Sequence, residues 1–132
     1  RFRWRGRLID PARHFIPVED VKRFIDVMAL HKFNRLQLHL TDDQGWRLEI
    51  QSHPELTRRG ARFPDHWNEP PAHHGHYTQA EMRELIRYAA DRQITIVPEI
   101  DMPGHTTRRL FESGPLQQPD GEHLLRGQPD VG

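Results

Sequence analysis

The alternation of short apolar segments with amphipathic helical ones constrains this chain more than any other feature. "RLID" (residues 7–10) reads as a short buried strand ending in an acid. Leu36, Leu38 and Leu40 alternate with Gln37 and His39, the period of two that a strand imposes. "ITIVPEID" (94–101) starts with four apolar or β-branched residues, meets a proline near its end, and closes on Glu99 and Asp101. Between the first two segments, Val21, Phe24, Ile25, Met28 and Ala29 recur at helical spacing. Pro17 can open that helix, and Glu19 and Asp20 suit its positive first turn. Before the third segment, Thr78 and Glu81 have the spacing of a capping box, and Met82, Leu85, Ile86 and Ala89 line one helix face. Strands separated by helices imply βαβ units and a parallel sheet, because parallel neighbours need a crossover. The expected class is α/β, as an open sheet or as the first part of a barrel that takes eight strands and about 250 residues.

Composition narrows the partners. Nineteen basic residues balance nineteen acidic ones, which gives no footprint for nucleic acid or an anionic membrane. No apolar run approaches the ~20 residues of a membrane helix. The opening "RFRWRGRLID" enters a core strand at once, so a mature or internal start is expected rather than a signal peptide. The absence of cysteine removes disulfides and thiolate chemistry and leaves the compartment open. Residues 51–77 are rich in Pro, His, Arg and Gly without a period and read as one long loop.

The strand ends carry the candidate chemistry. Asp10, Arg13 and His14 follow the first strand; His39, Asp42 and Asp43 follow the second; Glu99, Asp101 and His105 follow the third. In a parallel sheet all would face one rim, the rim where catalytic groups collect in α/β barrels. Several have plain readings. Asp10 either caps its turn or joins the site, and Arg13 either pairs with Asp10 or offers its planar fork to two hydroxyls. His39, between Leu38 and Leu40, reads as a hydrogen-bonded core histidine. Asp43 and Gln44 read as loop residues, and Trp46 as a plug at the barrel mouth. His73, His74 and His76 lack the spacing of a metal site and read as a solvated loop. Asp42 and His105 are the strongest candidates, because a carboxylate beside an imidazole can tune a neighbouring acid.

The blocks "RGRLIDPARHF", "HKFNRLQLHLTDDQGWRLEI", "HPELTRRGA" and "GHYTQAEMRELIRYAADRQITIVPEIDMPGH" together resemble the opening of the catalytic domain of family 20 glycoside hydrolases, the β-N-acetylhexosaminidases. The likeness runs from about Arg5 to His105. It implies the first three β/α units of an incomplete (β/α)8 TIM barrel over residues 1–107, with an atypical, irregular tail at 108–132. It implies removal of terminal N-acetylglucosamine or N-acetylgalactosamine from glycans or chitooligosaccharides, with retention and no cofactor or metal. The nucleophile is the substrate's own 2-acetamido oxygen. By position, Arg13 matches the arginine that grips the sugar's 3- and 4-hydroxyls. Asp42 and His105 match the pair that adjusts the general acid, Asp101 a supporting acid, and Trp46 a substrate-side position near the pocket mouth. Dimers are common in the family, which leaves a homodimer open for the full protein, and its members are often exported.

The family's Asp-Glu pair, usually within "GGDE" after the fourth strand, is absent from these 132 residues. Its Glu is the general acid and its Asp orients the acetamide. The chain alone is therefore expected to hydrolyse little or nothing, and a part-barrel is expected to be marginal, with an unpaired edge and uncovered apolar surface. Two other readings compete. One is a carbohydrate-binding remnant that keeps Arg13 and Trp46; the other is a metal-dependent hydrolase using Asp42, Asp101 and His105.

Overall fold

The computed structural model describes residues 2–62, 74–102 and 104. Three parallel strands form the main sheet in the order β1, β2, β5: β1 is Gly6–Ile9, β2 is Arg35–His39 and β5 is Thr95–Glu99. Leu8 lies beside Gln37 and His39 beside Glu99, so the strand ends coincide at one rim. Helix α1 (Val18–Leu30) crosses between β1 and β2, and α3 (Gln79–Ala90) precedes β5. Both helices end in the same way. Lys32 and Gln93 take left-handed backbone (φ 60° and 59°), and the next residue's N–H reaches back to Met28 and Ala89 respectively. This turn satisfies the last helix carbonyls and sends the chain straight into a strand.

The two faces of the sheet differ. Leu36 and Leu38 point at the helices and are fully buried against Val21, Ile25, Met28, Met82, Leu85 and Ala89. Phe24 and Ala29 pack at the margin of that core. Ile86, expected on the apolar face of α3, is instead 49% exposed. Polar ties join α1 and α3 elsewhere along their contact: Tyr88 Oη donates to the Asp26 carboxylate, and Lys22 Nζ reaches Glu84. On the opposite face Leu8 is half exposed and shares a cavity of about 290 Å³ with Trp4, Arg35, Gln37 and Val97.

The expected loop at 51–77 contains a helix. α2 (Glu55–Gly60) is too short for an apolar period to show; it buries Thr57 and Gly60, and Glu55 pairs with Arg58 and Arg59 on its exposed side. A small hairpin also escaped the strand pattern. β3 (Thr41–Asp42) pairs antiparallel with β4 (Gly45–Trp46), so Asp43 and Gln44 form its tight turn. The Thr78–Glu81 capping box opens α3 as its spacing predicts. The tail at 108–132 lies outside the described residues.

Leu38→Ala should cost about 2–5 kcal/mol, as core leucines do. Leu8→Ala in the same chain should cost less than about 1 kcal/mol, because its side chain already meets solvent. Urea denaturation of the two variants checks the assignment, and equal losses would contradict the two-faced sheet.

Candidate active site

The rim at the carboxyl ends of β1, β2 and β5 gathers five charged groups and an imidazole. Asp10 leaves β1 and uses one oxygen to accept the backbone N–H of Arg13 (3.0 Å) and the other to meet Arg13 Nη1 (2.6 Å). Both plain readings, the turn cap and the salt bridge, therefore hold. Arg13 also crosses to the next unit, with Nη2 2.5 Å from Asp42 Oδ2. Its side chain stays 53% exposed, so part of its donor fork remains open to a ligand. The hydrogen bond to Asp10, with the added fields of Asp42 and Asp101, raises the Arg13 pKa further and keeps it cationic.

Asp42 is almost completely buried, with only 3% of its side chain exposed. The hairpin explains how it is aimed. β3 turns back immediately after β2, and Asp42 Oδ1 accepts the Asp43 backbone N–H at 2.7 Å. Asp43 thus supports Asp42 through its main chain. Asp42 Oδ2 also lies 2.9 Å from His39 Nε2. Asp101 is brought to the same place through its backbone, which donates to Thr41 Oγ1 at 2.8 Å. One ligand atom from each of His39, Asp42 and Asp101 fits within a 4.8 Å sphere of mutual distance. A cation placed among them would sit beside the Arg13 guanidinium and would have to break the His39–Asp42 bond. The donor set suits hydrogen bonding to hydroxyls better than metal ligation.

His39 is a buried hydrogen-bonded histidine, as its flanking leucines imply, but it belongs to the site. Its Nδ1 faces Glu99 Oε1 at 3.0 Å, across the β2–β5 register. Burial lowers its pKa, and the hydrogen bonds it donates to Asp42 and Glu99 outweigh that and raise it.

Arg47, unnoticed in the sequence, holds the loops around this rim. Its side chain is fully buried. Nε donates to Pro11 O, Nη2 to Ala12 O, and Nη1 to both Ala61 O and Gly75 O, all at 2.9–3.0 Å. Gly45 leaves room for it, since a Cβ there would lie 2.4 Å from Arg47 Cζ. Pro11 and Ala12 lead directly into Arg13, so this guanidinium fixes the loop that carries the other one.

The model of "Glycosyl hydrolase family 20, catalytic domain" matches residues 2–123. The chain belongs to glycoside hydrolase family 20. A beta-hexosaminidase of Akkermansia muciniphila is 52% identical over 105 residues, covering 80% of this chain and 21% of that protein. A beta-hexosaminidase of Vibrio furnissii is 54% identical over 113 residues, with 80% and 18% covered. The crystal structure of an exo beta-N-acetylglucosaminidase from Vibrio harveyi in complex with N-acetylglucosamine is similar at TM-score 0.76 and 46% identity, covering 85% of this chain and 19% of that one. The chain thus spans about a fifth of the length of these family 20 proteins.

Of the residues the resemblance nominated, Arg13, Asp42 and Asp101 converge at the rim. His105 lies outside the described residues. Trp46 is half-buried at the other side of the hairpin, with its indole N–H on Leu48 O (2.7 Å) and its Cβ against Gly60. Among the loop histidines, His74 and His76 are partly buried and His73 lies outside the described residues. His39 and Glu99 were readable as a pair only once β2 and β5 were known to be neighbours in that register.

Two outcomes are expected. Arg47→Met removes the side-chain donor from four carbonyls, of which, among the described residues, Ala61 O alone keeps another, the Gly75 N–H, and should cost at least about 3 kcal/mol in urea denaturation. The second concerns pH. His39 binds its proton more tightly folded than unfolded, so its contribution to stability is complete below its ordinary value of 6.5 and is lost as pH rises through the raised one. The urea midpoint should therefore fall on the alkaline side, and His39→Gln should flatten that fall. An unchanged slope in the variant would assign the pH dependence elsewhere.

Proposed function

We propose that this chain supplies the first three β/α units of a β-N-acetylhexosaminidase barrel, residues 1–107, and with them the part of the site that grips and orients the sugar. The observation that carries this reading is the Arg13–Asp42 pair at the carboxyl-end rim of a parallel sheet, joined there by Asp101. A family 20 relative solved with N-acetylglucosamine supports the ligand class. The open face around Leu8 and Val97 and the outer edges of β1 and β5 are the surfaces that further barrel strands would cover. The full protein then acts on glycans or chitooligosaccharides ending in N-acetylglucosamine or N-acetylgalactosamine, and a homodimer is compatible with it.

In this mechanism the half-exposed Arg13 fork donates to the 3- and 4-hydroxyls of the terminal sugar. The 2-acetamido oxygen attacks C1 as the glycosidic bond breaks, and a general acid protonates the leaving oxygen. Water then attacks C1 on the face the leaving group vacated and displaces the acetamide oxygen, so two inversions leave the configuration retained. Asp42, Asp101 and His105 shape the charge around the acetamide and the acid. The general acid itself comes from the Asp-Glu pair that this sequence does not contain. A carbohydrate-binding remnant is the second reading, favoured by the fact that Arg13 and Asp42 meet without that pair.

The test uses a chromogenic N-acetyl-β-glucosaminide. The 132-residue chain should release no chromophore, whereas a chimera joining residues 1–107 to the remaining barrel units of the Akkermansia muciniphila relative should. In the chimera, Asp42→Asn should lower kcat by about 10²–10⁴, the span of acid–base assistance. Arg13→Ala should act mainly on KM, by removing sugar binding. Turnover by the chain alone, or a chimera indifferent to both substitutions, would refute the reading. Measurable N-acetylglucosamine binding by the chain would favour the remnant.

A further inference from the structure

His39 lies between the sugar-gripping pair and an acid that the mechanism above leaves unused. Its ring is buried, with 6% of the residue exposed. Nε2 meets Asp42 Oδ2 at 2.9 Å and Nδ1 meets Glu99 Oε1 at 3.0 Å. The same Asp42 oxygen contacts Arg13 Nη2, and the other Glu99 oxygen accepts from Gln37 Nε2 at 2.5 Å. Arg13, Asp42, His39, Glu99 and Gln37 thus form one continuous line of hydrogen bonds and ion-pair contacts. It runs from the exposed rim down the open face of the sheet.

A neutral imidazole has one N–H and one lone pair, so it can donate to only one of two flanking carboxylates. The lone pair would then face an anionic oxygen about 3 Å away. A ring carrying both protons donates to both. The groups around it favour that state: Asp42 from β3, Glu99 from β5, Asp10 beyond β1 and Asp101 beyond β5, against the cation of Arg13. Main-chain bonds hold the line together as well, with Ala12 N–H on His39 O and Leu40 N–H on Glu99 O, both 3.1 Å.

We propose that His39 and Glu99 are positioning residues for the sugar site. Glu99 aims the ring, and the ring, bonded to both carboxylates at once, fixes the Asp42 oxygen that Arg13 grips. Neither residue touches the sugar. This rests on the reading of Arg13 and Asp42 as sugar-site groups. Loss of one ring proton disconnects one carboxylate, so the grip on the sugar weakens as pH rises.

Two measurements test it. In the chimera, kcat/KM should show an alkaline limb that Glu99→Gln moves to lower pH by about one unit or more, because a neighbouring anion is worth that much. A packing role for Glu99 would lower activity at every pH and leave the limb in place, and that result would overturn the proposal. The second measurement is independent of catalysis. In long-range ¹H–¹⁵N spectra of the 132-residue chain near neutral pH, both His39 ring nitrogens should be protonated, and Glu99→Gln should lower the titration midpoint. A single neutral tautomer below pH 6.5 would overturn the proposal. An inactive wild-type chimera beside a doubly protonated His39 would instead count against the hydrolase reading, while upholding the part of the proposal in which the ring bonds both carboxylates.

Discussion

One buried guanidinium holds together the parts of this molecule that no ladder reaches. The segments at Pro11–Ala12, Ala61 and Gly75 are irregular, and a buried carbonyl without a donor costs about as much as several surface contacts return. Arg47 supplies the donors for all three segments. Its own backbone is tied on both sides, its N–H to Leu40 O at 2.8 Å and its carbonyl to Tyr77 N–H at 2.7 Å. Tyr77 is buried and sends its hydroxyl to Ile16 O, which closes the loop ahead of α1. The rim is therefore rigid where the sheet ends. A guanidinium suits this task because its five donors are held in one plane and never lose their charge.

Much of the fold was legible because the hydrophobic period is a direct consequence of burying one face. Val21, Ile25 and Met28 recur as a helix requires, and all three are buried. Leu36 and Leu38 recur as a strand requires and face the helices. Failures occurred where the determining interaction is not periodic. α2 is six residues long and buries only Thr57 and Gly60, neither of them a large apolar residue, and the hairpin at Thr41–Trp46 has strands of two residues each, too short for any alternation to register. Ile86 lies one step round the helix from the buried stripe of Met82, Leu85 and Ala89, and the sheet and α1 do not reach far enough to cover it.

The site was legible in a different way. Acids at strand ends can be read from sequence, and the parallel sheet does bring Asp10, Asp42 and Asp101 to one rim. Partnership could not be read. That Asp42 meets His39 depends on how the chain turns after β2. That turn places His39 on it through an i to i+3 contact that ordinary strand geometry would not give. Glu99 was visible as an acid, and its role needed the register that sets it beside His39. Arg47 was hidden for a deeper reason. A charged residue next to Trp46 looks exposed by composition, and only the convergence of distant carbonyls makes its burial favourable.

The burial along the hydrogen-bonded line bears on how the proposed chemistry is divided. Asp42 and His39 side chains are 3% and 8% exposed, whereas Glu99 is 29% and Arg13 53% exposed. The centre of the line is already desolvated within this segment, and its two ends are still wet. Covering the open sheet face would dry Glu99 and strengthen its hold on the ring, because attraction between opposite charges grows as the dielectric falls. Sugar binding would do the same for Arg13 at the rim. In the proposed enzyme the first three units thus bring a charge pattern that is mostly set before the barrel closes. Closure and substrate then act on its ends. Under the proposed reading, the proton that breaks the glycosidic bond comes from another unit, so grip and proton delivery would sit on different stretches of the chain. The cluster of acids, arginine and histidine is well connected within these residues, and in that reading its connection does not depend on the acid pair.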